Sequence, residues 1–499
     1  MYCFISTVTN NRKAGVITAI AYAGAPYIFT NSVIRYAAGE LLAMAVAPWV
    51  FLGIWKIQQG KSGWLPLGLG AAALLLSHNL STAIFALFAV LFLLTTPKVL
   101  TRPAALKQLF GALLVAVGLS AFFVYPLLEA RNAANYNVFD VGFMFHLSEV
   151  LNHAHSSLGS MWAGTQVPYG ALGVLGVFSL GFAGFALTKS SDIQIKRFLV
   201  TAIVLIGISL LISSSIFPWT YLPSNFWVIQ FPWRVNIVTA LFLAALPGIV
   251  FSVLSSRNED PVANVDTNLN GIPSAKSNTG ECAWFRKPKW AAIAAVVAVG
   301  ALAIVDFAVM AHSVDITREN TYDWSITFLG SMGPHNVDYL PSATREWDFF
   351  NRNHLPLALD GAMEFTNIER TGRQLDFEAL VHQGGTVELP LFFYPGWRAY
   401  VDGARVPLFE SENGFAAIEL PSSEFSSTST SQVTAYYAMS PATQAGATVT
   451  AATVLGLLAI ATRRALRLRA LRTSGSPAAK QFLTGLKDNR RRGASDEAN

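Results

Sequence analysis

The chain has 499 residues, 53% of them apolar and 13% charged, against roughly 25% charged in an ordinary soluble protein. Eighteen of its 65 Asp, Glu, Lys and Arg residues lie in the first 254 positions, which excludes a water-soluble core of that length. The net charge of +5 comes from the segment after residue 461, with ten basic and three acidic side chains, so it points to no nucleic-acid partner. A basic tail beside an apolar span marks the cytoplasmic side of a membrane. Cys3 and Cys282 stand far apart, so neither a disulfide framework nor a cysteine metal cluster is available.

A membrane-crossing helix needs about 20 predominantly apolar residues. Such runs stand near residues 14–30, 40–57, 106–128, 168–187, 198–216, 233–254, 290–312 and 442–461. The run from Trp64 to Leu94 is too long for one ordinary helix and carries Ser77, His78 and Asn79 at its middle, so it reads as a tilted span or as a hairpin of two short helices. Sidedness favours the hairpin. It puts Arg12 and Lys13, Lys56 and Lys61, Lys98 to Lys107, Lys189 to Arg197, Arg257 to Lys289 and the tail on one inner side. The expected fold is an α-helical polytopic membrane protein of about ten spans with both termini cytoplasmic. Residues 1–312 are its helical core, 440–462 the last span and 463–499 the cytoplasmic tail. The first run has no small-residue cleavage site and is followed at once by further spans, which argues against a signal peptide. Residues 255–289, rich in Asn, Ser, Pro and Gly, read as a disordered inner loop.

Residues 313–439 are polar, with seventeen acids, seven arginines and no lysine, and they alternate with the period of strands. Leu375, Phe377 and Ala379 alternate with Gln374, Asp376 and Glu378, and Val433, Ala435 and Tyr437 lead into the last span. Asp402-Gly403 signals a hairpin and Asn413-Gly414 a second turn before Phe415 to Leu420. The expectation is an extracytoplasmic antiparallel β domain of sandwich type. Its net negative charge argues against lying flat on anionic lipid heads.

Ionisable residues at a membrane edge are costly and therefore candidate functional groups. Arg35-Tyr-Ala-Ala-Gly-Glu40 could hold an anionic headgroup or a developing charge, with Glu40 a candidate catalytic carboxylate; a mutual ion pair anchoring the helix end is the alternative. His78 and Asn79 could bind a phosphate or a sugar hydroxyl, or satisfy each other inside the membrane. The long outer loop 129–167 supplies two more candidate catalytic carboxylates, Asp140 and Glu149. His146, His153 and His155 there could take a divalent metal ion, though no fixed ligand pattern is matched. Gln230-Phe-Pro-Trp233-Arg234 makes a phosphate or sugar platform, or an aromatic belt with a snorkelling arginine. Trp397 and Tyr400 are candidate glycan-binding aromatics, or core. Asp306, deep in an apolar run, keeps a transporter or flippase reading open unless it bonds a neighbouring helix.

The segments "RYAAGELLAMAVAPW", "LLLSHNLSTAIFALF", "IQFPWR" and "FYPGWRAYVDGARVPLFESENGFAAIELP" occur in this order. Taken together they resemble bacterial multi-pass proteins named as 6-pyruvoyl-tetrahydropterin synthase-related membrane proteins, and the YfhO-like membrane proteins. Both are related to the C-type superfold of polyprenyl-phosphate-sugar-dependent glycosyltransferases. The resemblance implies a helical core in the bacterial cytoplasmic membrane, a β-rich outer domain, a lipid-phosphate sugar as donor and cell-envelope glycan as acceptor. A non-catalytic protein that binds or presents lipid-linked glycan through the β domain is the alternative. The chain begins several spans into that family's alignment. The superfold's early outer loop, with its catalytic carboxylate, is therefore expected either to precede Met1 in a longer polypeptide or to be lost, and no residue here inherits that role.

Overall fold

A computed structural model describes residues 1–133, 172–256 apart from 215, 224, 225, 227, 228, 230 and 231, 293–308 apart from 307, 355–421 and 429–473. It is mostly helical, with a separate β-sheet region. In chain order the helices are α1 Tyr2–Thr9, α2 Arg12–Ala23, α3 Pro26–Phe29 and α4 Ala38–Gln58. Next come α5 Trp64–Ser77, α6 Asn79–Leu94, α7 Pro103–Ala133, α8 Gly173–Lys189 and α9 Ile193–Ile212. The last three are α10 Asn236–Ser256, α11 Ile293–Asp306 and α12 Pro441–Thr473.

Among the described residues five helical stretches are long and apolar enough to cross a membrane. They are Ala38–Gln58, Pro103–Ala130, Ile193–Ile212, Pro232–Ser256 and Pro441–Arg467. A sixth candidate is the pair Arg12–Ala23 and Pro26–Val33, bent by 47°. Helices α5, α6, α8 and α11 are shorter, so among the described residues five or six stretches qualify as candidate spans by length and composition, where sidedness had suggested about ten. Helix α1 falls outside every expected run: eight residues are too few for a span, yet Phe4 and Ile5 are fully packed in the core.

Residues 64–94 form a hairpin. Helix α5 runs back along α4, with Gly53 against Leu67, Gly70 against Val50 and Gly39 against Ser77. A Cβ on Gly53 would stand 2.6 Å from the Leu67 backbone nitrogen, so glycine is what lets the two helices approach this closely. Helix α6 returns to the same end, where Gln58 Nε2 donates to the Phe92 carbonyl at 2.8 Å. At that end Arg102 Nη2 caps the last turn of α4 through the Ile57 and Gln58 carbonyls. Gln108 Oε1 accepts from Gly63 N, Gln59 bonds Gln194, and Arg197 lies over the Trp55 ring. The helix ends carrying Lys56, Lys61, Lys98, Lys107 and Lys196 thus meet on one face of the bundle. The core between the faces is aromatic: Phe4, Phe51, Phe92, Phe198 and Phe242 pack mostly edge to face, the arrangement their ring quadrupoles favour.

Asp306 ends α11 3% exposed, and its two oxygens accept from Val174 N at 2.7 Å and Leu175 N at 3.2 Å. It caps the start of α8, where Gly173 has a φ of 60° and a Cβ would clash with the carboxylate. This is the bond to a neighbouring helix that the sequence left open. Helix α12 packs antiparallel on α7: Thr450 bonds Gly118 and Phe122, and Ser440 Oγ donates to Glu129 Oε2. It continues to Thr473, so residues 463–473 of the basic segment are helical.

The β region has two antiparallel sheets, ordered β1-β4-β8-β7 and β2-β3-β9-β5-β6. The strands are β1 Leu357–Ala358, β2 Ala362–Arg370, β3 Gln374–Gln383, β4 Gly385–Phe392 and β5 Trp397–Val401. They continue with β6 Ala404–Val406, β7 Phe409–Glu410, β8 Phe415–Leu420 and β9 Ser429–Tyr437. Inward residues of both sheets, Leu375, Phe377, Leu389, Ile418, Val433 and Ala435 among them, make one apolar core, so the sheets pack face to face as a sandwich. Asp402 and Gly403 have φ of 51° and 80°, the two left-handed positions of a two-residue hairpin.

Candidate functional site

Opposite the basic face, the bend between α2 and α3 starts the assembly. Pro26 opens α3, and the chain then widens into a π-helical turn, Thr30–Ile34. Single π turns are rare and frequently lie at functional sites. The turn places Asn31 and Arg35 side by side and ends at Tyr36, whose φ of 51° is uncommon for a residue with a side chain. Arg35 Nη1 donates to Asn31 Oδ1 and, at 2.7 Å, to Glu40 Oε2. Glu40 is 2% exposed in the first turn of α4, and its other oxygen accepts from the Tyr27 hydroxyl at 2.7 Å. A carboxylate buried among apolar helices is thus satisfied by a guanidinium and a phenol, as its burial requires.

The remaining groups come from distant parts of the chain. The Arg35 guanidinium lies 4.2 Å from the centre of the Trp233 ring, and Tyr27 packs on that ring at 6.5 Å. Trp233 and Arg234 belong to the turn Pro232–Val235 that leads into α10, and Arg234 Nη1 donates to the Ile229 carbonyl at 3.2 Å. At the hairpin tip, His78 Nδ1 accepts from Ser81 N at 3.2 Å and faces the Ser81 hydroxyl at 2.8 Å. In the neutral ring this assigns the proton to Nε2, leaving that N–H for another partner. The neighbouring atom Cδ2 stands 3.5 Å from the place a Cβ on Gly39 would take, which puts the imidazole beside the Arg35–Glu40 turn.

Of the residues singled out in the sequence, Arg35, Glu40, His78, Trp233 and Arg234 therefore meet at one end of the bundle. Asn79 opens α6 beside them, exposed, its side chain making no hydrogen bond among the described residues. Asp140, Glu149, His146, His153 and His155 lie outside the described residues, as does most of the long outer loop. Among the described residues no group of three or more His, Cys, Asp or Glu side chains could hold a metal ion. Two members of the cluster, Tyr27 and Asn31, carried no sequence signal: each is an ordinary polar residue in an apolar run until the bend and the π turn aim it at Glu40 and Arg35.

In the β region Trp397 is half-buried and meets Tyr437 edge to face at 5.7 Å, on the core side of its strand. Tyr400, one pleat on from Arg398, points outward and stacks on Tyr436 with 10° between the rings. The two aromatics named together in the sequence thus stand on opposite sides of one sheet.

No family model matches the chain, and no solved structure matches it. It is similar to an uncharacterized protein of Lactococcus lactis subsp. cremoris (strain MG1363), 30% identical over 136 residues. The match covers 26% of this chain and 22% of that protein, so this chain spans about a fifth of the length of the relative it matches.

Proposed function

We propose that the protein is a membrane-embedded glycosyltransferase-like protein of the cell envelope, holding a polyprenyl-phosphate-linked sugar at the end of the bundle where Arg35, His78, Trp233 and Arg234 meet. The observation that carries this reading is that cluster: two guanidiniums, an imidazole and an indole gathered at one end of an apolar bundle. Arginine forks match phosphate oxygens, and the buried indole, with Arg35 over its ring, holds that guanidinium in place. The arrangement supports a membrane in which this end faces outward, because the lysine-rich helix ends collect at the other. The finer topology belongs to the same proposal: the α5–α6 hairpin and the shorter helices complete about ten spans in a bacterial cytoplasmic membrane, with both termini inside and the β region outside.

In this reading an acceptor hydroxyl bonds to the sugar C1 as the bond from C1 to the phosphate oxygen breaks, and the departing lipid phosphate takes up the hydroxyl proton. Arg35 and Arg234 neutralise that phosphate, and His78 Nε2–H donates to one of its oxygens. Glu40 is a positioning residue. Held by Arg35 and Tyr27, it has both oxygens engaged, which makes it a poor general base. That same engagement favours a second reading, in which the cluster binds lipid-linked glycan without transferring it. Transfer of radiolabelled sugar from polyprenyl phosphate in membranes separates the two. Arg35→Ala and Arg234→Ala should each reduce transfer at least tenfold, and transfer unchanged in both variants removes the phosphate assignment. Lipid binding without transfer in the unaltered protein selects the second reading.

A further inference from the structure

The outward face of the five-stranded sheet is divided by charge. Asp376 and Glu378 alternate with the buried residues of β3, while Arg398 and Tyr400 alternate with buried Ala399 and Val401 on β5. Register sets Arg398 opposite Tyr436 and Arg405 opposite Tyr400, so two arginines flank the stacked tyrosines. The tyrosine hydroxyls lie 3.2 Å apart. The shared hydrogen bond sets the two phenols apart, holding Tyr400 above the ordinary value and drawing Tyr436 below it, and the Arg398 hydrogen bond lowers Tyr436 further. Among the described residues no carboxylate lies within salt-bridge distance of Arg398 or Arg405. That is unexpected where residues 355–440 hold eleven acids and four arginines. Both arginines also border a cleft of about 490 Å³ walled by Tyr394, Trp397, Pro407 and Leu408.

The position of this patch indicates what it meets. The Gly396 carbonyl accepts from Ala438 N at 2.8 Å, and Ala438 stands three residues before α12, a helix long and apolar enough to cross a membrane. Three residues reach at most about 11 Å. Ser440, at the junction, is tied to Glu129 near the end of α7. The cleft, its aromatic wall and its two arginines thus sit at the corner of the β region nearest the start of a candidate span, at the level where headgroups begin. Aromatic residues favour that layer, and arginine forks pair with phosphate oxygens there.

We propose that Arg398 and Arg405, with the Tyr400–Tyr436 stack, bind the phosphate of an anionic membrane lipid and fix this corner of the β region to the bilayer surface. The acidic remainder of the region is repelled by the same surface, so the sandwich stands on one corner rather than lying flat. The proposal rests on the membrane reading of the helices and not on sugar transfer.

The test uses the full chain in nanodiscs containing phosphatidylglycerol or phosphatidylcholine with a photoreactive headgroup, and maps the labelled peptides. Phosphatidylglycerol should label residues 393–408 at least tenfold more than phosphatidylcholine. The Arg398→Ala/Arg405→Ala variant should lose that preference while α12 stays labelled and thermal unfolding is unchanged, and Glu364→Gln/Glu378→Gln on the acidic half should keep it. Equal labelling by the two lipids, or a preference that survives the arginine variant, overturns the proposal. Complete displacement of the lipid by millimolar glycerol phosphate assigns the site to a soluble phosphate and overturns the lipid assignment, whatever the outcome of the transfer assay.

Discussion

Glu40 shows how one residue can hold a site together. Its oxygens are each 2.7 Å from a donor, Tyr27 on one side and Arg35 on the other, and almost none of it meets solvent. Removing one partner of a buried pair costs about 3–5 kcal/mol, because the charge left behind has no compensation. Arg35→Ala is therefore expected to destabilise the protein by that order. Tyr27→Phe, which deletes one hydrogen bond to a charged group, should cost about 1.5–3 kcal/mol. Adding Glu40→Leu to Arg35→Ala should restore part of the loss, since no buried charge then remains. Reversible unfolding in mixed micelles measures all three, and a double variant no more stable than Arg35→Ala would mean that the carboxylate is not the source of the cost. Arg35 and Glu40 were legible in the sequence because two charges five apart interrupt a long apolar run. Tyr27 was not, because its distance from Glu40 is set by a 47° bend that no local pattern announces.

At the scale of elements, helix ends and glycine contacts do most of the positioning. Asp306 accepts from two of the free N–H groups at the start of α8, those of Val174 and Leu175, and a buried donor left without its acceptor costs about 1–3 kcal/mol. Asp306→Ala should therefore lower stability by about 2–6 kcal/mol for the two. Asp306→Asn keeps one acceptor and should lose about half as much, read by the same unfolding measurement. Equal effects of the two variants would show that charge rather than acceptor geometry matters. The sequence identified Asp306 as an acid that burial makes expensive, but its partners are backbone groups 131 and 132 residues earlier, invisible to any pattern of side chains. The β strands were more legible: period-two alternation and the Asp402-Gly403 turn are local, and β3, β5 and β9 follow them, while β8, buried on both faces over Phe415 to Ile418, was marked only by the Asn413-Gly414 turn before it. Alternation by itself separates Trp397 from Tyr400, three residues apart and so on opposite faces. The aromatic density of the segment had grouped them, and what no local pattern supplies is the pairing of β5 with β9 and β6 that brings Tyr436, Arg398 and Arg405 together with Tyr400.

On the scale of the whole molecule, the two ends of the bundle differ in kind. One gathers the lysine-bearing helix ends, capped by Arg102 and the glutamines around it. The other gathers the Arg35–Glu40 cluster, the hairpin tip and the Ser440–Glu129 junction through which the β region joins α12. Charge distribution along the sequence was enough to suggest this division, since a hairpin at His78 is what brings all the basic pairs to one side. The number of spans was less legible, because α5, α6, α8 and α11 fall short of the length that hydropathy alone would accept. Function was the least legible, since the cluster joins residues from three separate stretches of chain. The account depends above all on the cluster and the β region sharing one side of the membrane, opposite the lysine-rich end. Single cysteines at Asn79, Gly372 and Lys98, in a chain with Cys3→Ser and Cys282→Ser, test this with an impermeant maleimide on sealed right-side-out vesicles. The account predicts labelling of Asn79→Cys and Gly372→Cys in sealed vesicles and of Lys98→Cys only after permeabilisation. Labelling of Asn79→Cys and Lys98→Cys from the same side, or of Gly372→Cys from the side opposite Asn79→Cys, would contradict it.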